Sequence, residues 1–394
     1  MLVVGLTVVI SLLAGIALYQ LLPWQQHEIA TRVIMLVSLA AGLYSAYRVN
    51  RDSILQLLQK KRAPHPQRIR QKMWVLSGVW LLTILFSSLL YHILDQALYV
   101  HYAVDALLFS PFILLVLYVW IVFFDQRQPE PHDAYVAFFL AIQHKKIPWQ
   151  QHKLFILTAC VKIFFIPFIY GATYLAIWQI IALDNIFQNP VQLIQFLFLF
   201  GLCFDVTIAL GGYLFSSQYF ATQTLSVDDS WQGWLVCVLC YPPLFLYRDF
   251  LTRQVDNYVW SDWLASDQVL YWLWAAVICA TWVCYWLATV SFGFRFSNLS
   301  WRGLVNTGLY RYVKHPAYLS KNIYWWLHTV PLFGVMGWDM LRNCAALACI
   351  SLIYYLRAKT EERHLMRFAE YRDYQAWMAE YGLWAKIKKG IRRT

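Results

Sequence analysis

Long apolar runs constrain this chain more than anything else in it. About ten stretches reach or approach the ~20 residues that a helix needs to cross a bilayer. They are Met1 to Leu22, Ala30 to Tyr47, Met73 to His92, Tyr102 to Phe124, Leu154 to Leu183, Val191 to Leu214, Trp231 to Tyr247, Val269 to Phe292, Leu319 to Val335 and Leu341 to Leu356. With 60% of its 394 residues hydrophobic and only 13% charged, the chain is not an ordinary soluble protein. The predicted fold is all-α: a polytopic transmembrane helical bundle of about ten spans. The first run lacks a basic leader and a small-residue cleavage site, so it reads as a retained span.

Short loops that keep their Lys and Arg are expected on the cytoplasmic side. Arg51, Lys60, Lys61, Arg62, Arg68 and Arg70 crowd the segment from Arg48 to Lys72. Arg127, Lys145 and Lys146 mark the segment from Asp125 to Lys153, and Lys386, Lys388, Lys389, Arg392 and Arg393 mark the tail. The alternate loops around Gln25, Asp95 and Asn185 have no Lys or Arg. An even number of spans then puts both termini in the cytoplasm. The net charge of +11 fits this bias and attraction to anionic lipid, and no aromatic-basic module supports nucleic-acid binding. Cys237 and Cys240 form a CxxC inside an apolar run, where small buried residues are the plain reading; no metal site is expected.

Ile54 to Leu58, ahead of Lys60-Lys61-Arg62, reads as a short amphipathic piece on the inner leaflet. Ala134 to Ile142 is too short to span and fits a re-entrant or interfacial segment. Asp205 falls within hydrocarbon, where a carboxylate is costly and must face a partner, structural or substrate-borne. Arg32 and Asp105 sit near span ends, within reach of solvent. The loop Thr222 to Ser230 has no basic residue; Ser226 or Ser230 capping the next helix explains it, and recognition of a cationic group is the sharper reading. The polar loop from Arg248 to Asp267 divides an N-terminal bundle (1–265), a possible acceptor-binding part, from a C-terminal unit (266–394).

That C-terminal unit holds the densest chemistry. Between two apolar runs lies Asn306-Thr307-Gly308-Leu309-Tyr310-Arg311-Tyr312-Val313-Lys314-His315-Pro316-Ala317-Tyr318-Leu319-Ser320-Lys321-Asn322. Pro316 suits the first turn of a helix, with His315 before it; Tyr318 and Asn322 lie one turn apart. The opening helix end offers N–H groups to an anion. Two spans later comes Glu361-Glu362-x-x-Leu365-x-x-Phe368-x-x-Tyr371-x-x-Tyr374, whose spacing predicts a cytoplasmic amphipathic helix continuing the last span.

Gly308-x-Tyr310-Arg311-x-x-Lys314-His315-Pro316-x-Tyr318, followed by two spans and Glu361-Glu362, resembles the isoprenylcysteine carboxyl methyltransferase and phospholipid methyltransferase superfamily. The resemblance covers roughly the last third of the chain. It implies an integral membrane methyltransferase using S-adenosylmethionine, with membrane lipids around it and a lipid or lipid-linked acceptor. The implied cofactor residues are Tyr310, Lys314, His315, Pro316, Tyr318, Leu319, Asn322, Glu361, Glu362 and Tyr374; Arg311, His315 and Asp205 are the candidate catalytic groups. Acid groups would hold the ammonium, basic groups the carboxylate, and aromatic faces the adenine or sulfonium. His315 either bonds the cofactor or caps its helix. Leu309, Lys314, Ser320 and Lys321 depart from the family pattern, the last two bearing on substrate identity. An amine or thiol acceptor needs a base, for which His132, Asp205, Asp228 and His364 are candidates; a carboxylate needs none. A transporter or scaffold with an inactive tail is the alternative of a different class. The sequence chooses neither the acceptor nor the oligomeric state.

Overall fold

In a computed structural model the chain is described except at residues 23–25, 60–62, 128–131, 184–185, 187–189 and 392–394. Gln25, Lys60, Lys61, Arg62, Gln128–Pro131, Asn185, Arg392 and Arg393 thus lie outside the described residues. The rest is almost wholly helical and falls into two compact units. One comprises Met1, Val3–Val227 and Gly293–Arg302; the other comprises Leu2, Asp228–Phe292 and Gly303–Thr394.

The first unit contains α1 (Leu2–Leu21), α2 (His27–Val49), α3 (Arg51–Leu58), α4 (Pro66–Leu94), α5 (Ala97–Leu108), α6 (Ser110–Asp125), α7 (Ala134–Gln143), α8 (Trp149–Ile181) and α9 (Pro190–Leu214). A two-stranded antiparallel ladder, β1 (Ser226–Val227) with β2 (Ser300–Trp301), closes it. The second unit holds α10 (Trp231–Val238), α11 (Leu244–Thr252), α12 (Trp260–Trp263), α13 (Val269–Phe292), α14 (Pro316–Thr329), α15 (Trp338–Leu365), α16 (Ala369–Tyr381) and α17 (Leu383–Ile391).

Among the described residues seven helices are long and apolar enough to cross a membrane, and eight if α5 and α6, bent by 68° at Phe109, make one span. The chain is therefore an all-α, multi-pass membrane bundle. Large apolar side chains stay exposed on outer helix faces, such as Ile10, Leu36 and Phe112, as lipid contact requires. Besides the run from Tyr102, two expected runs are not single long helices. Trp231 to Tyr247 is split by the turn at Pro242-Pro243, where a backbone donor is missing. In the run from Leu319, α14 ends at Thr329, before Val330-Pro331; its 14 residues rise only ~21 Å, short of a ~30 Å hydrocarbon core.

Charge inside the first unit is neutralised locally. Arg32 and Asp105, expected to be solvated at span ends, instead pair with each other: Arg32 Nε reaches both carboxylate oxygens at 3.0 and 3.1 Å, and Tyr170 Oη donates to Asp105 at 2.6 Å. Asp125, 1% exposed, receives Arg68 at 2.6 Å and Lys72 at 2.8 Å, while Lys72 also reaches Asp133 at 2.7 Å. Asp133 in turn caps α7, the apolar helix too short to span. Phe294, fully buried, packs where Gly42 and Gly211 leave room; a Cβ on either would collide with its ring.

Candidate functional site

The site begins at a tight turn in the second unit. Gly308 has φ +59°, and a Cβ there would strike Ser291 Oγ, so only glycine starts this 3-10 turn without strain. The turn buries Tyr310 edge-on to Phe292, centroids 5.0 Å apart. Pro316 then opens α14 as its first residue and is buried. His315 stands at the N-cap position, but its side chain makes no cap bond. Its ring stacks on Tyr318 (5.6 Å, 13°) and its Nε2 lies 3.1 Å from Glu362 Oε1.

Glu361 and Glu362 emerge from α15 beside this turn, as the two-helix topology predicts, and they serve different partners. Glu362 takes Lys314 Nζ at 2.6 Å and the His315 ring on one oxygen, and Lys359 Nζ at 3.3 Å on the other. Glu361 accepts from Tyr318 Oη at 2.9 Å. Arg357 lies over the Tyr318 ring at 5.4 Å and the Tyr241 ring at 5.5 Å. Both carboxylates are thus engaged with the chain's own donors, which fixes Lys314, His315 and Tyr318 in place.

Beyond Leu365 the chain does not continue as one helix. It turns at Met366–Phe368 and runs back as α16, burying Tyr371, Tyr374 and Met378. Tyr374 Oη donates to the Tyr310 carbonyl, and Leu383 N donates to the Tyr312 carbonyl at 2.9 Å. Burial pushes the Tyr371 and Tyr374 phenols well above their usual range, so both stay neutral.

These contacts border a half-open cavity of about 510 Å³, within the range of small-molecule sites. Lys314, His315, Tyr318, Leu319 and Asn322 line it, with Tyr354, Gln375, Trp384 and Lys388 facing them. Two of the lining residues each carry a buried amide oxygen, Asn322 Oδ1 and Gln375 Oε1, without a hydrogen-bond partner among the described residues. Such orphaned atoms are uncommon in native proteins. Tyr310, Pro316, Glu361, Glu362 and Tyr374 support this wall from behind. Arg311 is exposed and outside the lining. Asp205 belongs to α9 of the first unit, where it is buried.

Residues 269–367 match the family model for isoprenylcysteine carboxyl methyltransferase (ICMT). This segment is similar to the ICMT family. No curated protein and no solved structure matches the chain. An ICMT segment implies a membrane methyltransferase, in keeping with the long apolar helices. Every residue from Tyr310 to Asn322, and both Glu361 and Glu362, fall inside it; Tyr374, Gln375 and Lys388 lie beyond its end.

The two substitutions in the ICMT pattern that bore on substrate identity have local explanations. Ser320 is buried and bonds back to the Pro316 carbonyl at 2.8 Å, and Lys321 sits over the Tyr285 ring at 4.4 Å. Neither lines the cavity. The acidic loop preceding α10 also finds its cations within the chain. Ser230 Oγ caps α10 through Gly233 N and accepts from Arg363 at 2.6 Å, while Asp229 pairs with Arg367 at 2.9 Å. Asp228 holds the Ser230 backbone and hydroxyl, and His364 is buried edge-on to Phe368. Sequence reasoning missed Gln375, Trp384 and Lys388 because it carried α15 straight past residue 366. The periodic Leu365, Phe368, Tyr371 and Tyr374 signalled docking but not the reversal that brings Gln375 to the wall.

Proposed function

We propose that the chain is an integral membrane S-adenosylmethionine-dependent methyltransferase acting on a lipid or lipid-linked acceptor at the cytoplasmic leaflet, with both termini cytoplasmic. The observation that carries this is a cavity lined by Lys314, His315, Tyr318 and Asn322 of the segment that matches the ICMT family, two of whose lining residues, Asn322 and Gln375, hold an amide oxygen without a partner. S-adenosylmethionine brings donors, a carboxylate and a cationic sulfur together, and the lining matches each in kind. The amide oxygens of Asn322 and Gln375 can accept from the adenine amine or ribose hydroxyls. Lys314 and Lys388 can receive the carboxylate, and the faces of Tyr318 and Tyr354 suit the sulfonium.

When bound, S-adenosylmethionine supplies an electrophilic methyl group. The chain's own work is then alignment and exclusion of water, since in-line displacement rewards both. His315 and Tyr318, stacked and tied to Glu362 and Glu361, hold the wall in one geometry. Glu361 and Glu362 act as positioning residues, already engaged by the chain's own donors. A carboxylate acceptor would need no base; none of the candidate bases of the second unit lines the cavity. The transporter or scaffold reading gains no support from a segment whose family transfers methyl groups.

Calorimetry of the purified full chain with S-adenosylhomocysteine tests the proposal. Binding is expected, and His315→Ala and Asn322→Ala should each weaken it. No binding heat in the wild-type protein overturns the function, and undiminished binding in both variants overturns the site. Incubation of membranes with methyl-labelled cofactor identifies the acceptor.

A further inference from the structure

α17 (Leu383–Ile391) carries a pattern that the methyltransferase reading does not use. It begins where Gly382 ends α16: a Cβ at Gly382 would meet the Met378 carbonyl at 2.5 Å, and Leu383 N is tied to the Tyr312 carbonyl at 2.9 Å. Its start is therefore fixed beside the turn that leads into α14. Its side chains are not covered. Trp384 is 59% and Ile387 41% exposed, and none of the residues from Leu383 to Lys388 is buried. The neighbouring α16, by contrast, turns Tyr371, Tyr374 and Met378 inward. With 3.6 residues per turn, Leu383, Trp384 and Ile387 share one stripe of α17, and Lys386 and Lys388 stand on either side of it. That is the pattern of a helix lying in a bilayer surface, its apolar stripe in the acyl boundary and its lysine stems reaching for head groups.

Two further observations favour lipid as the cover. The first is level. The apolar run of α15 ends at Leu356, and Tyr354 and Tyr355, in its last turn, line the same cavity as Leu383, Trp384 and Lys388. α17 thus sits where the α15 span leaves hydrocarbon. Exposed aromatic rings collect there, with Tyr312, Tyr355 and Tyr381 joining Trp384, as in the aromatic belt of a membrane–water interface. The second is charge. Glu370, Asp373 and Glu380 all precede Gly382, and beyond it the sequence holds Lys386, Lys388, Lys389, Arg392 and Arg393 without an acidic side chain. Such a segment complements an acidic head-group layer.

We propose that α17 is a membrane-interface helix that binds acidic phospholipid and so holds the rim of the cavity at the bilayer surface. The lipid contact stands on α17 alone. Its bearing on the cavity rests on the function proposed above, since a rim seated among head groups faces an acceptor that arrives from the lipid.

The test uses the full chain in lipid nanodiscs at one chain per disc, made of phosphatidylcholine alone or mixed with phosphatidylglycerol. Amide hydrogen exchange over residues 383–391 is followed by mass spectrometry, and it should be slower in the acidic discs. Lys386→Gln, outside the cavity lining, should speed exchange about fivefold in acidic discs, the contribution of one lysine beside an anionic surface, and leave neutral discs unchanged. Ile387→Gln, also outside the lining, should speed exchange in both. Both positions are exposed, so neither variant removes a core contact. Equal exchange of the wild-type chain in the two kinds of disc overturns the inference, and so does a wild-type response that both variants retain. Equally slow exchange in neutral detergent assigns the cover to the protein itself, and protection seen only at two chains per disc assigns it to a second copy; either result overturns the inference. S-adenosylhomocysteine calorimetry in the same discs separates the two readings. Cofactor binding without lipid-dependent protection overturns this inference alone, and lipid-dependent protection without cofactor binding overturns the methyltransferase reading alone.

Discussion

Glu362→Gln is the sharpest test of the positioning role assigned above. Glu362 is 13% exposed, pairs with Lys314 and Lys359, and bonds the His315 ring. Glutamine keeps the shape and one acceptor oxygen but removes the charge that draws two donors to a single atom. A partly buried charge-assisted bond contributes ~1.5–3 kcal/mol. Lys359, with half its side chain in solvent, adds little. Lys314 and His315 both line the cavity, so the loss falls on the preorganised wall. S-adenosylhomocysteine binding should weaken by about 10- to 150-fold, read by calorimetry, with helicity by circular dichroism unchanged. Lys359→Gln is the internal control and should stay within about threefold. An affinity for Glu362→Gln within that same margin, in a folded protein, would refute the reasoning; so would an equal loss in Lys359→Gln, which would reduce the effect to net charge.

Tyr318→Phe keeps the stack on His315 but removes the bond to Glu361, and should weaken cofactor binding by ~0.5–1.5 kcal/mol in the same assay. Asp105→Asn leaves Arg32 with only the exposed Glu28 as an anionic partner and should cost ~1.5–3 kcal/mol, seen as a drop in the thermal unfolding midpoint in detergent. Asp125→Asn should do the same by leaving Arg68 and Lys72 to a single remaining carboxylate, Asp133. Arg367→Ala breaks an ion pair whose arginine is 53% exposed, so the midpoint should barely move, by the equivalent of at most ~1 kcal/mol.

Helices that cross lipid are legible because a run of some 20 apolar residues is a property of composition, independent of what packs on it. Where the expected spans failed, proline was present each time: Pro111 near the bend between α5 and α6, Pro242-Pro243 between α10 and α11, and Pro331 just past α14. Proline alone did not decide the matter, because Pro167 sits inside α8 and the helix continues through it. In a bundle, neighbours can satisfy the carbonyl that proline frees. Whether a given proline breaks or is absorbed depends on packing that a local pattern does not contain.

The candidate site divides along the same line. Lys314, His315, Tyr318, Leu319 and Asn322 are readable together, because one helix start places them by spacing alone. Gln375 and Lys388 are not, because they reach the wall only after the chain reverses at Met366–Phe368 and docks Tyr374 on the Tyr310 carbonyl. The roles of Glu361 and Glu362 show a further limit. Read as sequence, two carboxylates near a suspected cofactor are natural partners for its ammonium. In the fold they are occupied by Tyr318, Lys314 and His315, so their charge organises the wall rather than standing open to a ligand. A sequence shows which charges a chain carries. Which of them cancel is decided by topology.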